Sequence, residues 1–329
     1  MDGLGEGVDG GEQIFINLMP KYFTFAALVL LTLAACRQKS AKSTIDKKGT
    51  SPQKVVKRRE PAIVYKTPLL NEYASFIDSI SSPRIENSTI AAKKYQSLFK
   101  SAGADIRDTA FTIFDKYYER LTDKLDNSAE RESIDLDTYF AYSTSHPKVP
   151  QKVAQYVKRL TQNGFRVGEE EGMCYIQQDR DFVATWFYNY VSPVMKKYLI
   201  QLNKENKLIY MEDAGITINY DELVDRALWW EQFVKNQPYF IAKKSAVANQ
   251  RTYLTLLIEG SDNTWVMDPE TKKLDDYFKK AYADVENKSP SSDVGKTVIP
   301  YYHLLLNGQT ASADSLLRDY RKRNIIGDN

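Results

Sequence analysis

The chain reads as a mainly all-α protein, an irregular stack of α-α hairpins with one short β-hairpin near residues 165–176. Three observations lead there. From Thr67 onward, apolar side chains recur three and four residues apart, the spacing that lines one face of a helix. The runs open at Ser, Thr, Asn or Asp, several with proline next, and some stop at glycine, which is the residue chemistry of helix ends. One stretch alone breaks that rhythm. Helix pairs of ~35–45 residues suggest a helical repeat, but no strict period joins them, so the stack is read as irregular.

Taken in order, Thr67-Pro68 is a cap followed by proline, and Leu69, Tyr73, Phe76, Ile77 and Ile80 follow at helical spacing. Ser88 opens a second helix with Ala91, Tyr95, Leu98 and Phe99 on one face and Gly103 as its stop. Asp105 opens a third through Ile113, Phe114, Tyr117 and Leu125. Residues 134–143 fit helix or strand. Pro150 starts a helix that ends at Gly164. Phe165-Arg-Val and Met173-Cys-Tyr-Ile then flank a Gly168-to-Gly172 turn, the pattern of a hairpin. An isolated hairpin is marginal in water, so this one must pack on helices. Asp179 or Asp181 caps the next helix, which carries Phe182, Val183, Trp186 and Phe187, and Ser192-Pro193 repeats the cap-and-proline start. Asn219 caps a helix bearing Leu223, Ala227, Trp230 and Phe233, and Pro238 starts a long one stopped by Gly260. Helices over 273–286, 292–307 and from Ser312 complete the body, which divides into a helical part 67–164 and a helical part 165–329 holding the hairpin.

Ahead of this body lies a different kind of sequence. Lys21 is followed by an apolar run, Tyr22 to Ala35, and then by Cys36. The run is shorter than the ~18–20 residues that span a bilayer as a helix, and it has the order of a secretory signal: charge, apolar stretch, small residues. Asp2, Glu6, Asp9 and Glu12 do not suit a signal, so residues 1–18 read as an extension ahead of a start at Met19, with 19–35 as the signal. Leu33-Ala34-Ala35-Cys36 resembles the lipobox of bacterial lipoproteins. The resemblance implies lipid on the Cys36 sulfur and an exported, membrane-anchored chain; Arg37 in place of Asp leans toward the outer membrane in a Gram-negative host.

Residues 36–66 form a flexible, basic tether. From Arg37 to Lys66 there are ten basic residues against Asp46 and Glu60, while the whole chain carries only +2. The excess of positive charge therefore lies in the tether and not on the folded body, which argues against nucleic acid as a partner and for attraction to anionic headgroups. With Cys36 lipidated, Cys174 has no partner and reads as a small buried hydrophobe.

Catalytic sets are not assembled. The chain has two histidines: His146 in a polar loop and His303 in an apolar helix, where a core or groove position is expected. Ser97-x-x-Lys100 and Ser261-Asp-Asn263 resemble two signatures of penicillin-binding proteins, but the third element departs from them as Lys296-Thr297-Val298. Glu169, Glu170 and Glu171 are expected to project into water, and Asp262, Asn263, Asp268 and Glu270 to serve turns rather than a cation. No metal and no cofactor is implied. Three segments, Glu171 to Ile176, Trp229 to Phe233 with Asn236-Gln237-Pro238, and Gly260 to Thr264 with Asp268-Pro269, resemble a loose group of helical, exported or lipid-anchored bacterial proteins. That resemblance covers about residues 150–307 and implies a helical fold. Trp229-Trp230, Phe233, Pro238, Ala242 and Ala246 also resemble a tetratricopeptide unit, although its Leu-Gly and Tyr positions are missing.

Aromatics carry the remaining signal. Among 22 tyrosines and four tryptophans, Trp186, Trp229, Trp265, Tyr301 and Tyr302 are the candidate ligand-binding residues, since Trp and Tyr offer an apolar face with a polar tip. The expectation is a membrane-anchored envelope lipoprotein that binds or scaffolds another envelope component, protein or glycan, without catalysis. Two alternatives stand beside it: a glycan- or peptide-binding module with an aromatic groove, and a hydrolase using paired carboxylates ~5–10 Å apart.

Overall fold

The computed structural model describes residues 65, 67–139 and 149–327. The N-terminal extension, the signal, the lipobox with Cys36 and nearly all of the tether lie outside the described residues, as does His146. Among the described residues no helix is long and apolar enough to cross a membrane.

The architecture is mainly α, with three small two-stranded antiparallel ladders. Helices α1 (Pro68–Ser79), α2 (Asn87–Phe99) and α3 (Ala104–Asp126) pack on one another, followed by the short α4 (Ala129–Glu132) and by α5 (Gln151–Gln162). Residues 136–139 of the ambiguous 134–143 segment are helical, and 140–143 lie outside the described residues. Gly103 does not stop α2; it is the N-cap residue of α3, and α2 starts one residue earlier than expected, at Asn87. The hairpin is present as β1 (Phe165–Glu170) and β2 (Met173–Gln178), with Val167 opposite Ile176. Its tip residues Glu171 and Gly172 have φ 51° and 78°, the left-handed pair that suits a two-residue hairpin turn.

The hairpin and α6 (Asp181–Phe187) pack on the helices of the N-terminal part. β2 packs on α3 and β1 on α5. The rings explain it: Phe165 lies 5.2 Å from Tyr118, and Phe187 lies 4.4 Å from Phe114 and 4.8 Å from Tyr95. Gly164 turns the chain from α5 into β1 at φ +86°, and a Cβ there would stand 2.5 Å from the Phe182 ring. Only glycine meets both demands.

The second part of the body begins at α7 (Pro193–Lys207), whose cap Ser192 accepts a hydrogen bond from the Met195 amide. Asp108 of α3 fixes that start from outside, accepting from the Ser192 amide at 2.8 Å and its hydroxyl at 2.5 Å. Helices α8 (Tyr220–Asn236) and α9 (Lys243–Glu259) pack closely as a helical hairpin, and α10 (Asp276–Lys288) lies against α8 and α11 (Asp293–Leu306), with α12 (Thr310–Lys322) on α11. Helix α9 starts at Lys243 and not at Pro238: residues 238–242 turn so that Phe240 packs between Tyr198 and Phe233, at 5.0 and 5.1 Å. Likewise α10 starts at Asp276, capped by Asp275, three residues after the expected Lys273, and α12 starts at Thr310 rather than Ser312.

Two ladders were not expected. β3 (Met211–Glu212) pairs with β4 (Gly215–Ile216), and β5 (Gly260–Ser261) with β6 (Thr264–Trp265). They join each other, because the Asn263 amide donates to the Ala214 carbonyl at 3.0 Å and the Ile216 amide to Thr264 Oγ1 at 2.9 Å.

Candidate functional site

The face of α8 that carries Trp229 opens onto a cleft of about 730 Å³. Three pieces of chain form its walls: α7 through Gln201 and Lys204, α8 through Arg226, Trp229, Gln232 and Asn236, and the connection from α10 to α11 through Ser289, Ser291 and Ser292. A side recess of about 260 Å³ shares Gln201 and Trp229 and extends along α7 past Lys197 and the exposed Ile200. The volume is that of a small-molecule or short-chain site.

Trp229 is held in place. Its ring stacks on Phe233 one helical turn on, with centroids 5.1 Å apart and planes 9° from parallel, and meets Trp230 edge-on at 4.8 Å. The Lys197 ammonium lies 5.9 Å from the Trp229 ring centre, within cation–π range. A rigid, half-exposed indole costs little entropy when a ligand packs on it.

Beneath the indole lies a polar core. Arg226 is fully buried; it donates to Glu222 at 2.7 Å, to the Tyr253 hydroxyl at 3.2 Å and to the Leu208 carbonyl at 2.8 Å. Glu205 accepts from Gln201 at 2.6 Å, from the Trp230 indole N–H at 2.8 Å and from Tyr253 at 2.9 Å. Burial lifts the Glu205 carboxyl above its ordinary range, against these donors and the Arg226 charge, which pull it down. Burial also raises Glu222, but hydrogen bonds from Arg226 and Lys204 outweigh it and leave that carboxyl below its ordinary value.

Other charges at the cleft are paired, apart from Lys235, which has no carboxylate partner among the described residues. Glu231 accepts from the amides of Asp293 at 2.9 Å and Val294 at 2.7 Å, and so holds the first turn of α11. Asp225 pairs with Lys288 at 2.9 Å. What the cleft offers a ligand is therefore an apolar ring and a set of amide and hydroxyl groups, with an excess of positive charge from Lys235 and, in the recess, Lys196 and Lys197.

The other expected site residues do not gather here. Trp186 lies on α6 against Phe182, at 5.8 Å. Trp265 stands half-exposed on β6. Tyr301 and Tyr302 are buried, not groove-lining: both pack on Tyr282, at 6.2 and 5.5 Å. Helix α11 is central, so two adjacent residues both find neighbours. His303, expected in a core or groove, is exposed and contacts Glu286 at 2.9 Å. Cys174 is buried; its thiol meets the Leu136 carbonyl at 3.4 Å, and burial, with Asp137 nearby, pushes it up to about 11, so it stays a neutral thiol.

Motif matches resolve into structural roles. Ser97 to Lys100 closes α2, Ser261 to Asn263 builds the third ladder, and Lys296-Thr297 lies in the early turns of α11. Glu169 takes the Gly172 amide at 2.7 Å, and Asp268 takes the amides of Glu270 and Thr271. Among the described residues no group of His, Cys, Asp and Glu is placed to hold a metal ion.

Sequence reasoning found Trp229 and missed its companions. Residues 225, 229, 232 and 236 fall on one helical face, a polar stripe with a tryptophan in it, which was the available signal. The serines of 289–292 come from a distant loop and left none. The chain matches no protein-family model, no curated protein and no solved structure, so its function has to be read from its own geometry.

Proposed function

We propose that this is an envelope lipoprotein, held to the membrane through lipid on Cys36, whose Trp229 cleft binds a glycan strand. The observation that carries the reading is the pinned indole of Trp229 at the junction of two recesses that also present amides, hydroxyls and the ammonium groups of Lys196, Lys197 and Lys235. A pyranose ring presents a flat C–H face to such an indole, and its hydroxyls are matched by Gln201, Gln232, Asn236 and the serines of 289–292. A signal, a lipobox and a basic tether would bring the cleft to the envelope, where glycan is abundant.

The hydrolase alternative draws on Asp225 and Glu231, two carboxylates that both line the cleft. Each already has a partner, Lys288 for one and the α11 amides for the other, which favours holding over cutting.

Co-sedimentation of the full-length protein with isolated, protein-free cell-wall glycan tests the reading. Retention on the glycan is expected, with Trp229→Ala at least tenfold weaker and its thermal midpoint close to that of the parent. No retention, or equal retention of the variant, would overturn it, and shortened glycan in the supernatant would move the weight to the hydrolase.

A further inference from the structure

On the far side of α9 from the helical hairpin contact, a second cavity of about 590 Å³ lies between α9, α11 and α12. Its character is the reverse of the Trp229 cleft. Val247, Leu254, Val294, Pro300, Leu316 and Ile325 give it apolar walls. Its charged lining is Arg251, Lys296 and Arg323 against the single carboxylate of Asp293.

The three cations differ in how they are balanced. Lys296 reaches Asp293 at 3.5 Å and Arg323 reaches Asp319 at 3.0 Å. Arg251 has no carboxylate partner among the described residues. One of its terminal nitrogens donates to the Ile326 carbonyl at 2.6 Å and to the Asn324 side chain at 3.3 Å, and its Nε is buried with no acceptor at all. Among the described residues the second terminal nitrogen is left without an acceptor beside an apolar wall and can donate to a carboxylate oxygen. Pro300 adds to the opening: it has no N–H to give the carbonyl of Lys296, so α11 lacks one rung where both residues line the cavity.

We propose that this cavity binds a small amphipathic carboxylate, a medium-length apolar chain ended by one carboxylate, with Arg251 as its charge partner. One negative charge answers one uncompensated cation, and an apolar body displaces water from the walls formed by Val247, Leu254, Val294, Leu316 and Ile325. The cavity size is in the range that encloses such a molecule. The inference is independent of the glycan reading, since the residues of the two sites do not overlap.

Photo-crosslinking tests it on the full-length chain held in an amphipathic polymer. A diazirine-bearing dodecanoate serves as the probe, and labelled peptides are mapped by mass spectrometry. Label should fall on α9, α11 and α12, should be competed by decanoate and not by decanol, and should drop at least fivefold in Arg251→Gln. Label elsewhere, equal competition by decanol, or an unchanged Arg251→Gln would overturn the proposal. Because Arg251 also holds Ile326, Leu316→Trp supplies a second reading that leaves the guanidinium in place and fills the cavity. Label lost in that variant supports the site, and label kept sinks it.

Discussion

Around Phe114 the interior is ring against ring: Tyr118 at 5.4 Å, Phe187 at 4.4 Å, Phe182 at 6.4 Å. Around Arg226 it is a guanidinium, two carboxylates and a phenol that satisfy one another. Polar tips in the first region turn back onto backbone: Tyr73 onto Ala91, Tyr117 onto Ile80, Tyr118 onto Gly164. In the second Tyr253 and the Trp230 indole turn onto the Glu205 carboxylate, and the cleft lies beside them. Tight aromatic packing specifies one arrangement and leaves no room for a ligand. A satisfied polar network tolerates neighbouring solvent, and so it can floor a binding site.

The contrast can be tested by removing one element from each side. Arg226→Met should have the largest effect, about 3–5 kcal/mol of lost stability, because it leaves the Leu208 carbonyl without its donor and Glu222 with Lys204 alone. Chemical denaturation measures it, and a loss below about 1 kcal/mol would mean that the network is not what holds α8 to α7 and α9. In the aromatic region Gly164→Ala should cost about 2–4 kcal/mol, from a left-handed φ and a collision with Phe182. A near-neutral result would show that the ring core is softer than its packing suggests.

The smallest effect is a matter of pH. Glu222 has its carboxyl held below the ordinary 4.5 by Arg226 and Lys204 in spite of burial. A depressed carboxyl gives stability that is present above the unfolded value and fades as pH falls through the folded one. The thermal midpoint of Glu222→Gln should therefore lie below the parent's above about pH 5 and converge with it as the medium becomes more acid. Parallel curves down to acid pH would remove the polar network as the source of that sensitivity.

The sequence carried much of the architecture. Ser192-Pro193 and Ser292 start helices where the capping chemistry says they should, and the hairpin stands at 165–178, although its turn is Glu171-Gly172 alone and Gly168 lies within the first strand. The failures have local causes. Pro238 reads as a helix start, but Phe240 finds two rings to pack on, and the chain bends to reach them before α9 begins. The ladders at 211–216 and 260–265 are two residues per strand, too short for any alternation to show. Tyr301 and Tyr302 were candidate ligand-binding residues, and the central place of α11 buries both. Of the two sites, Trp229 was legible because a tryptophan on a polar helical face is conspicuous. Arg251 was not, since its want of a counter-charge exists only once α9 meets residues 324–326.

The bond between Asp108 and Ser192 has a mechanical reading. Helix α7 is pinned to α3 at its first turn, and its cleft residue Lys204 lies twelve positions on, about 18 Å away at 1.5 Å per residue. A tilt of ~10° about that pin would carry Lys204 by ~3 Å over such an arm. The ring-packed region is thus the mount from which α7 extends along the cleft.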